Sequence, residues 1–152
     1  MSEDGAAARD GFSIVQRVRF GDLDAMQHMN NVEFLRFFET ARIAWIEELT
    51  PQHDPTHPEA FGFIFAECHI AYRSPAHYKE DIRTFIRPIE LKRSSIRLGF
   101  EMVNDADGRV VADGWGTLVG YDYATGRAQP IPDSFRARVE PLLAAEARTA
   151  PR

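Results

Sequence analysis

The segment from Asn31 to Leu49 narrows most sharply what this chain can fold into. Phe34, Leu35, Phe37, Phe38, Ala41, Ile43, Ala44, Trp45, Ile46 and Leu49 cover more than one face of a helix. Only Glu33, Arg36, Glu39, Thr40, Arg42, Glu47 and Glu48 interrupt them. A helix that is apolar around most of its circumference has to be enclosed rather than laid on a surface. At about 1.5 Å per residue it is on the order of 30 Å long, so whatever encloses it must span a domain.

The remainder of the chain supplies strands for that purpose. Phe12, Ile14, Val18 and Phe20 recur with period two and mark a first strand with one buried face. Phe61 to Arg73 is apolar on both faces, with Phe63, Phe65, His69 and Ala71 alternating against Ile64, Ala66, Cys68, Ile70 and Tyr72. Asp81 to Leu91 forms a third strand, in which Pro88 signals an edge or a bulge. In Ser95 to Val103, Ile96, Leu98, Phe100 and Met102 face one way, and Arg97 and Glu101 the other. Asp105 to Gly108 makes a hairpin turn into Val110 to Tyr121, where Gly114, Gly116 and Gly120 leave room for close approach. Asp133 to Leu143 reads as a short amphipathic helix broken by Pro141.

This order predicts an α+β fold, one antiparallel five-stranded sheet wrapped around a long central helix. Residues 1–10 read as a tail, 11–143 as a single domain and 144–152 as a frayed end. A sheet that curls round one helix keeps open edges, so a homodimer or homotetramer is expected.

With 152 residues and 44% hydrophobic content, the chain is long enough for one real core. A net charge of −5 without a basic face argues against nucleic-acid binding. The single cysteine, Cys68, excludes an internal disulfide and reads as a packed thiol in an apolar strand. Met1 to Asp10 has no signal-peptide character and no apolar run spans a membrane, so a cytoplasmic location is expected. Thr50 to Ala60 reads as a connection in a position to serve as a lid over a pocket. Within it, His53, Asp54 and His57 lie among Pro51, Pro55 and Pro58 and read as a solvated loop; neither metal nor cofactor is expected.

The chemistry concentrates where Gly21-Asp22-Leu23-Asp24-Ala25-Met26-Gln27-His28-Met29-Asn30-Asn31 enters the helix. Asn30 is an N-cap residue, Glu33 completes a capping-box pattern, and Met29 and Phe34 occupy hydrophobic-staple positions. If the Asn30 side chain takes the amide of Val32 or Glu33, the Asn31 amide is left bare at the positive end of the helix. Such an amide stabilises a carbonyl oxygen that gains negative charge. Asp24 lies close by in sequence, and a carboxylate beside an oxyanion donor is the minimum equipment for hydrolysing an activated acyl group. The same residues also suffice merely to cap a helix and make turns.

Arg19 to Asn31, followed by Phe34-Leu35-Arg36-Phe37-Phe38-Glu39-Thr40-Ala41-Arg42, resembles the hotdog-fold acyl-CoA thioesterases of the 4-hydroxybenzoyl-CoA thioesterase-like family. The resemblance runs from about Val15 to Pro132 and includes Tyr72 to Ala76, Lys92 to Ser95, and Gly126-Arg127 leading to Pro130-Ile131-Pro132. It implies the hotdog fold, an acyl-CoA substrate, Asp24 as catalytic carboxylate and the Asn31 amide as oxyanion donor. It also implies phosphate contacts at Lys92, Arg93 and Ser94, with Arg127 a further candidate. His28 either polarises the thioester or is structural, and Asn30 is a cap with a secondary substrate contact. Phe61, Phe63, Phe65 and Trp115 are candidates for the wall of an acyl chamber. Gln27 stands where many members have glycine, which keeps open a non-catalytic acyl-CoA or acyl-carrier binding protein. A hotdog dehydratase fits less well, because the helix is not entered through a histidine–acid pair.

Overall fold

The computed structural model describes residue 9 and residues 11–51 and 62–149, with side chains described to residue 143. The strands are β1 (Phe12–Arg17), β2 (Gly62–Tyr72), β3 (Asp81–Leu91), β4 (Ser95–Asn104), β5 (Val110–Asp122) and β6 (Arg127–Ala128). The helices are α1 (Asn31–Leu49) and α2 (Asp133–Thr149). All pairings are antiparallel, in the order β1-β3-β4-β5-β2. The five expected strands are thus present. The two-residue β6 adds to β5 at Tyr121 and Asp122, beyond the point where β4 stops.

Register explains which side chains meet the helix. Cross-strand partners share a face, so Ile86, Phe100 and Gly114 form one inward row, and Thr84, Met102 and Ala112 the next. Phe38 of α1 lies on this face, with its ring 4.4 Å from Phe100 and 6.1 Å from Phe65. Trp45 meets Phe135 of α2 at 6.2 Å, and Phe63 meets the same ring at 5.4 Å. The core therefore lies between the sheet and the two helices. This is the hotdog arrangement.

Several local expectations are corrected. Phe20 does not continue β1; it enters a 3-10 turn (Phe20–Asp22) and is 76% exposed. The cause is Asp22, whose carboxylate accepts the Arg19 amide at 2.8 Å and turns the chain out of the sheet. In β2, a bulge between Phe65 and Glu67 shifts the alternation. Cys68, Ile70 and Tyr72 consequently share the inward face with Phe63 and Phe65, while Glu67, His69 and Ala71 face out. Helix α2 continues through Pro141 to Thr149 rather than ending at Leu143. Proline removes only its own donor, and Leu142 and Leu143 pack on the core immediately beyond it. The tail before residue 9, the Phe61 position and the proline-rich segment 52–60, with His53, Asp54 and His57, lie outside the described residues.

Pro88 satisfies both expectations for a strand proline. It sits at the Pro88/Glu90 bulge and beyond Ile86, the last β3 residue paired with β1, where no ladder bond requires its amide. Gly114 permits a close approach, since a Cβ there would lie 1.9 Å from the His69 carbonyl oxygen.

The enclosure of α1 within one chain is one-sided. Phe34, Phe37, Phe38, Ala41, Trp45 and Ile46 are buried, but Val32 is exposed and Leu35, Ile43 and Ala44 are half-buried. β2, which ends the sheet, also exposes Phe65 and Tyr72.

Candidate active site

A short backbone ladder builds the loop that enters α1. Asn30 N–H donates to the Asp22 carbonyl at 2.8 Å, Leu23 and Met29 form an isolated antiparallel bridge, and Asp24 N–H donates to the His28 carbonyl at 2.9 Å. Gln27 N–H closes the tip on the Asp24 carbonyl at 3.1 Å. Gln27 sits at φ +62°, the left-handed conformation that glycine adopts at little cost. The chain therefore holds a glutamine in a glycine-favoured conformation at the position where it departs from the family pattern.

Asn30 caps α1 as expected: its Oδ1 accepts the Val32 amide at 3.2 Å. The capping box does not form. The Asn30 amide that Glu33 would reach is already held by Asp22, and Glu33 instead lies 3.7 Å from Arg36. Met29 and Phe34 are both buried in the core, as staple residues are. The Asn31 amide has no acceptor among the described residues. Tyr72 fixes the other side of that residue, with its hydroxyl donating to the Asn31 carbonyl at 2.9 Å and its ring edge-on to Phe34 at 5.3 Å. Burial raises the Tyr72 pKa.

The two aspartates of the loop differ. Asp22 is buried, and its carboxylate is consumed by the Arg19 amide and by the Arg19 guanidinium at 3.1 Å. Asp24 is half-buried and spends Oδ1 on the Met26 amide at 2.8 Å; Oδ2 has no partner among the described residues. One carboxylate is structural and the other keeps a free oxygen on the same ladder that presents the bare amide.

His28, across the ladder from Asp24, meets His77 edge to face at 5.2 Å. His77 in turn lies 3.3 Å from Glu80, which Arg109 also grips at 3.2 Å. Burial alone would raise the pKa of Glu80, but bonds from the His77 amide and ring and the charge of Arg109 outweigh it and hold the carboxyl below its ordinary value. Sequence reasoning singled out none of Tyr72, His77, Glu80 and Arg109; the His28–His77 and Arg109–Glu80 contacts join segments far apart in the chain.

The Lys92, Arg93 and Ser94 turn is held by its backbone. Ile131 N–H donates to the Arg93 carbonyl, Gly120 N–H to the Ser94 carbonyl, and the Arg136 guanidinium to the Lys92 carbonyl. This ties the turn to β5 and α2, not to the loop, and leaves the Lys92 and Arg93 side chains exposed. Lys92 lies 3.5 Å from Glu90. Arg127 is exposed in β6.

Two other expectations change. Cys68 is exposed, not packed, because it lies on the last strand of the sheet. Trp115 cannot share a chamber with Phe65, since it lies on the outer face of β5 beneath Arg97 at 4.0 Å. That face carries a hollow of about 370 Å³ lined by His69, Phe85, Ile89 and Trp115 among others, none of them in the loop that enters α1. Among the described residues, no cluster of three His, Cys, Asp or Glu could hold a metal ion, and no helix is long and apolar enough to cross a membrane.

An antiparallel sheet packed against one long helix, with a half-buried carboxylate in the loop that enters the helix, is the architecture of a hotdog protein. The sequence model of the Thioesterase-like superfamily matches residues 18–139, and the chain belongs to that family. It is 30% identical over 127 residues to the long-chain acyl-CoA thioesterase FadM of Escherichia coli (strain K12), covering 84% of this chain and 96% of that one. Among solved structures, a thioesterase from Thermus thermophilus complexed with coenzyme A and zinc is 31% identical, with a TM-score of 0.76, covering 89% of this chain and 97% of that one. A thioesterase superfamily protein from Jannaschia sp. CCS1 is 26% identical, with a TM-score of 0.81, covering 89% of this chain and 94% of that one. The chain is a thioester hydrolase.

Proposed function

We propose that this enzyme hydrolyses acyl-CoA thioesters at the entrance of α1, with Asp24 as the reactive carboxylate and the Asn31 amide as oxyanion donor. The reading rests on one observation: a loop that fixes Asp24 by its backbone ends in a bare helix-terminal amide. The thioester oxygen gains charge as the carbonyl carbon becomes tetrahedral, and an amide at the positive helix end stabilises that charge. Asp24 attacks the carbon itself, giving an acyl anhydride that water then opens, or takes a proton from the attacking water. In both cases the CoA sulfur leaves as thiolate and is protonated in solvent. His28 lines the same loop, and Asn30 holds the helix end in place. Lys92, Arg93 and Ser94 bind the phosphates of CoA, in keeping with a turn whose backbone is fixed and whose cationic side chains are exposed.

Incubating the purified protein with a panel of acyl-CoAs should release free thiol, and Arg93→Ala should raise KM while leaving kcat near wild type. A protein that binds the esters yet releases no thiol from any of them would be a binder, not this enzyme. An unchanged KM would remove the turn from the substrate site.

We further infer that β2 pairs with β2 of a second copy. An end strand bearing exposed Phe65 and Tyr72, on a chain that also exposes Val32 of α1, is an aggregation hazard unless covered. Sedimentation equilibrium should give at least twice the chain mass of 17.3 kDa. A mass of one chain at micromolar concentration would rule the pairing out.

A further inference from the structure

The contact between His28 and His77 follows from one backbone bond. Met29 N–H donates to the Ala76 carbonyl at 2.8 Å, which sets the residues on either side of that bond next to each other. The two imidazoles then meet at 87° and 5.2 Å. His77 is not free to choose its pose. Glu80 accepts its backbone amide through Oε2 at 2.9 Å and faces its Nδ1 through Oε1 at 3.3 Å.

Glu80 is itself clamped. Arg109 donates to both of its carboxylate oxygens at 3.2 Å and, through a second nitrogen, to the Pro75 carbonyl at 2.8 Å. One guanidinium thus spans both ends of the turn that carries His77. Glu80 N–H closes that turn on the His77 carbonyl at 3.1 Å, and Lys79 is held at φ +68° with its amide on the Val18 carbonyl. A non-glycine residue persists in that conformation only where its surroundings over-determine it.

The clamp also favours one place for a proton. Glu80, held below its ordinary carboxylate range by the same contacts, only accepts, so the 3.3 Å contact is a hydrogen bond when His77 carries its hydrogen on Nδ1.

We propose that His77 is a positioning residue for the thioester reaction: held by Glu80 and Arg109, its ring fixes the orientation of the His28 imidazole on the loop that carries Asp24. This rests on the reading that the Asp24–His28 loop carries the chemistry. Nothing in the reaction requires His77 to touch substrate; it acts through His28.

The experiment is a double-substitution cycle with a spectroscopic control. His77→Phe keeps a ring of similar bulk and loses the bond to Glu80, while His77→Ala removes both. Each should lower kcat about tenfold with KM held within about twofold, because a misoriented group costs rate more than binding. His28→Ala combined with His77→Ala should be no slower than His28→Ala alone. Long-range proton–nitrogen spectra should show His77 as the Nδ1–H form, and Glu80→Gln should convert it to a mixture. Full activity in both His77 variants, or losses that multiply in the double variant, would overturn the inference while leaving Asp24 in place. An Nε2–H form of His77 in the unsubstituted protein would overturn it as well. Full activity in Asp24→Asn would instead remove the reading on which it rests.

Discussion

Asp24→Asn should lower kcat by about 10²–10⁴-fold with little change in melting temperature. The substitution separates the two jobs of this side chain. Oδ1 holds the loop by accepting the Met26 amide at 2.8 Å, and an asparagine carbonyl can accept the same bond. The ladder through Leu23–Met29 and the Asp24–His28 bond is made by backbone and does not depend on the charge. The charge, and with it the power to attack a carbonyl or take a proton, is lost. Asp24→Ala removes the loop bond as well and confuses the two effects. Steady-state thiol release alongside thermal unfolding is the measurement. A variant within about threefold of the wild-type rate would mean that another group performs the chemistry.

What the sequence disclosed was what depends on near neighbours. The cap of Asn30 on Val32 needs only residues two apart, and the bare Asn31 amide follows from it. The inward row of β4 followed from strict alternation, and Gly108 at φ +75° followed from hairpin chemistry. What failed was set from a distance. Glu33 was available for a capping box, but the carbonyl of Asp22, brought back by the loop, had already taken the Asn30 amide. The alternation of β2 gave no warning of an extra residue at Ala66, and that bulge decided that Cys68 rather than His69 shares a face with Phe65. Trp115 had the composition of a pocket wall; only the register of β5 put it on the outer face. Gln27 is the most instructive position. The loop ladder holds it at φ +62°, a conformation that residue type alone would assign to glycine. The His28–His77–Glu80–Arg109 chain was invisible because its links span the loop, a turn and the start of β5.

Phe38→Ala should destabilise the fold by about 3–5 kcal/mol, the largest stability loss expected from a single side chain here. Phe38 is fully buried at the middle of α1. Its ring lies 4.4 Å from Phe100 at an interplanar angle of 31°, and Arg42 packs over it at 5.3 Å. Directly opposite, at Gly116, the sheet offers no side chain to fill the void. A Cβ on Gly116 would sit 2.6 Å from Phe38 Cε1 and 2.7 Å from Phe65 Cε2, so this strand position is glycine because two phenyl rings occupy its space. Removing one ring leaves a cavity floored by backbone, the situation in which relaxation recovers least. Native domains typically have only about 5–15 kcal/mol in hand, so this one change should take a large share of the total. The damage should reach the β2 edge as well. Arg42 stacks on Phe65 at 4.4 Å as well as on Phe38, and its burial, only partly offset by the charge of Glu39, lowers its pKa. Denaturant unfolding of the variant is the test, and a loss below about 1.5 kcal/mol would show that the helix and sheet can close over the gap.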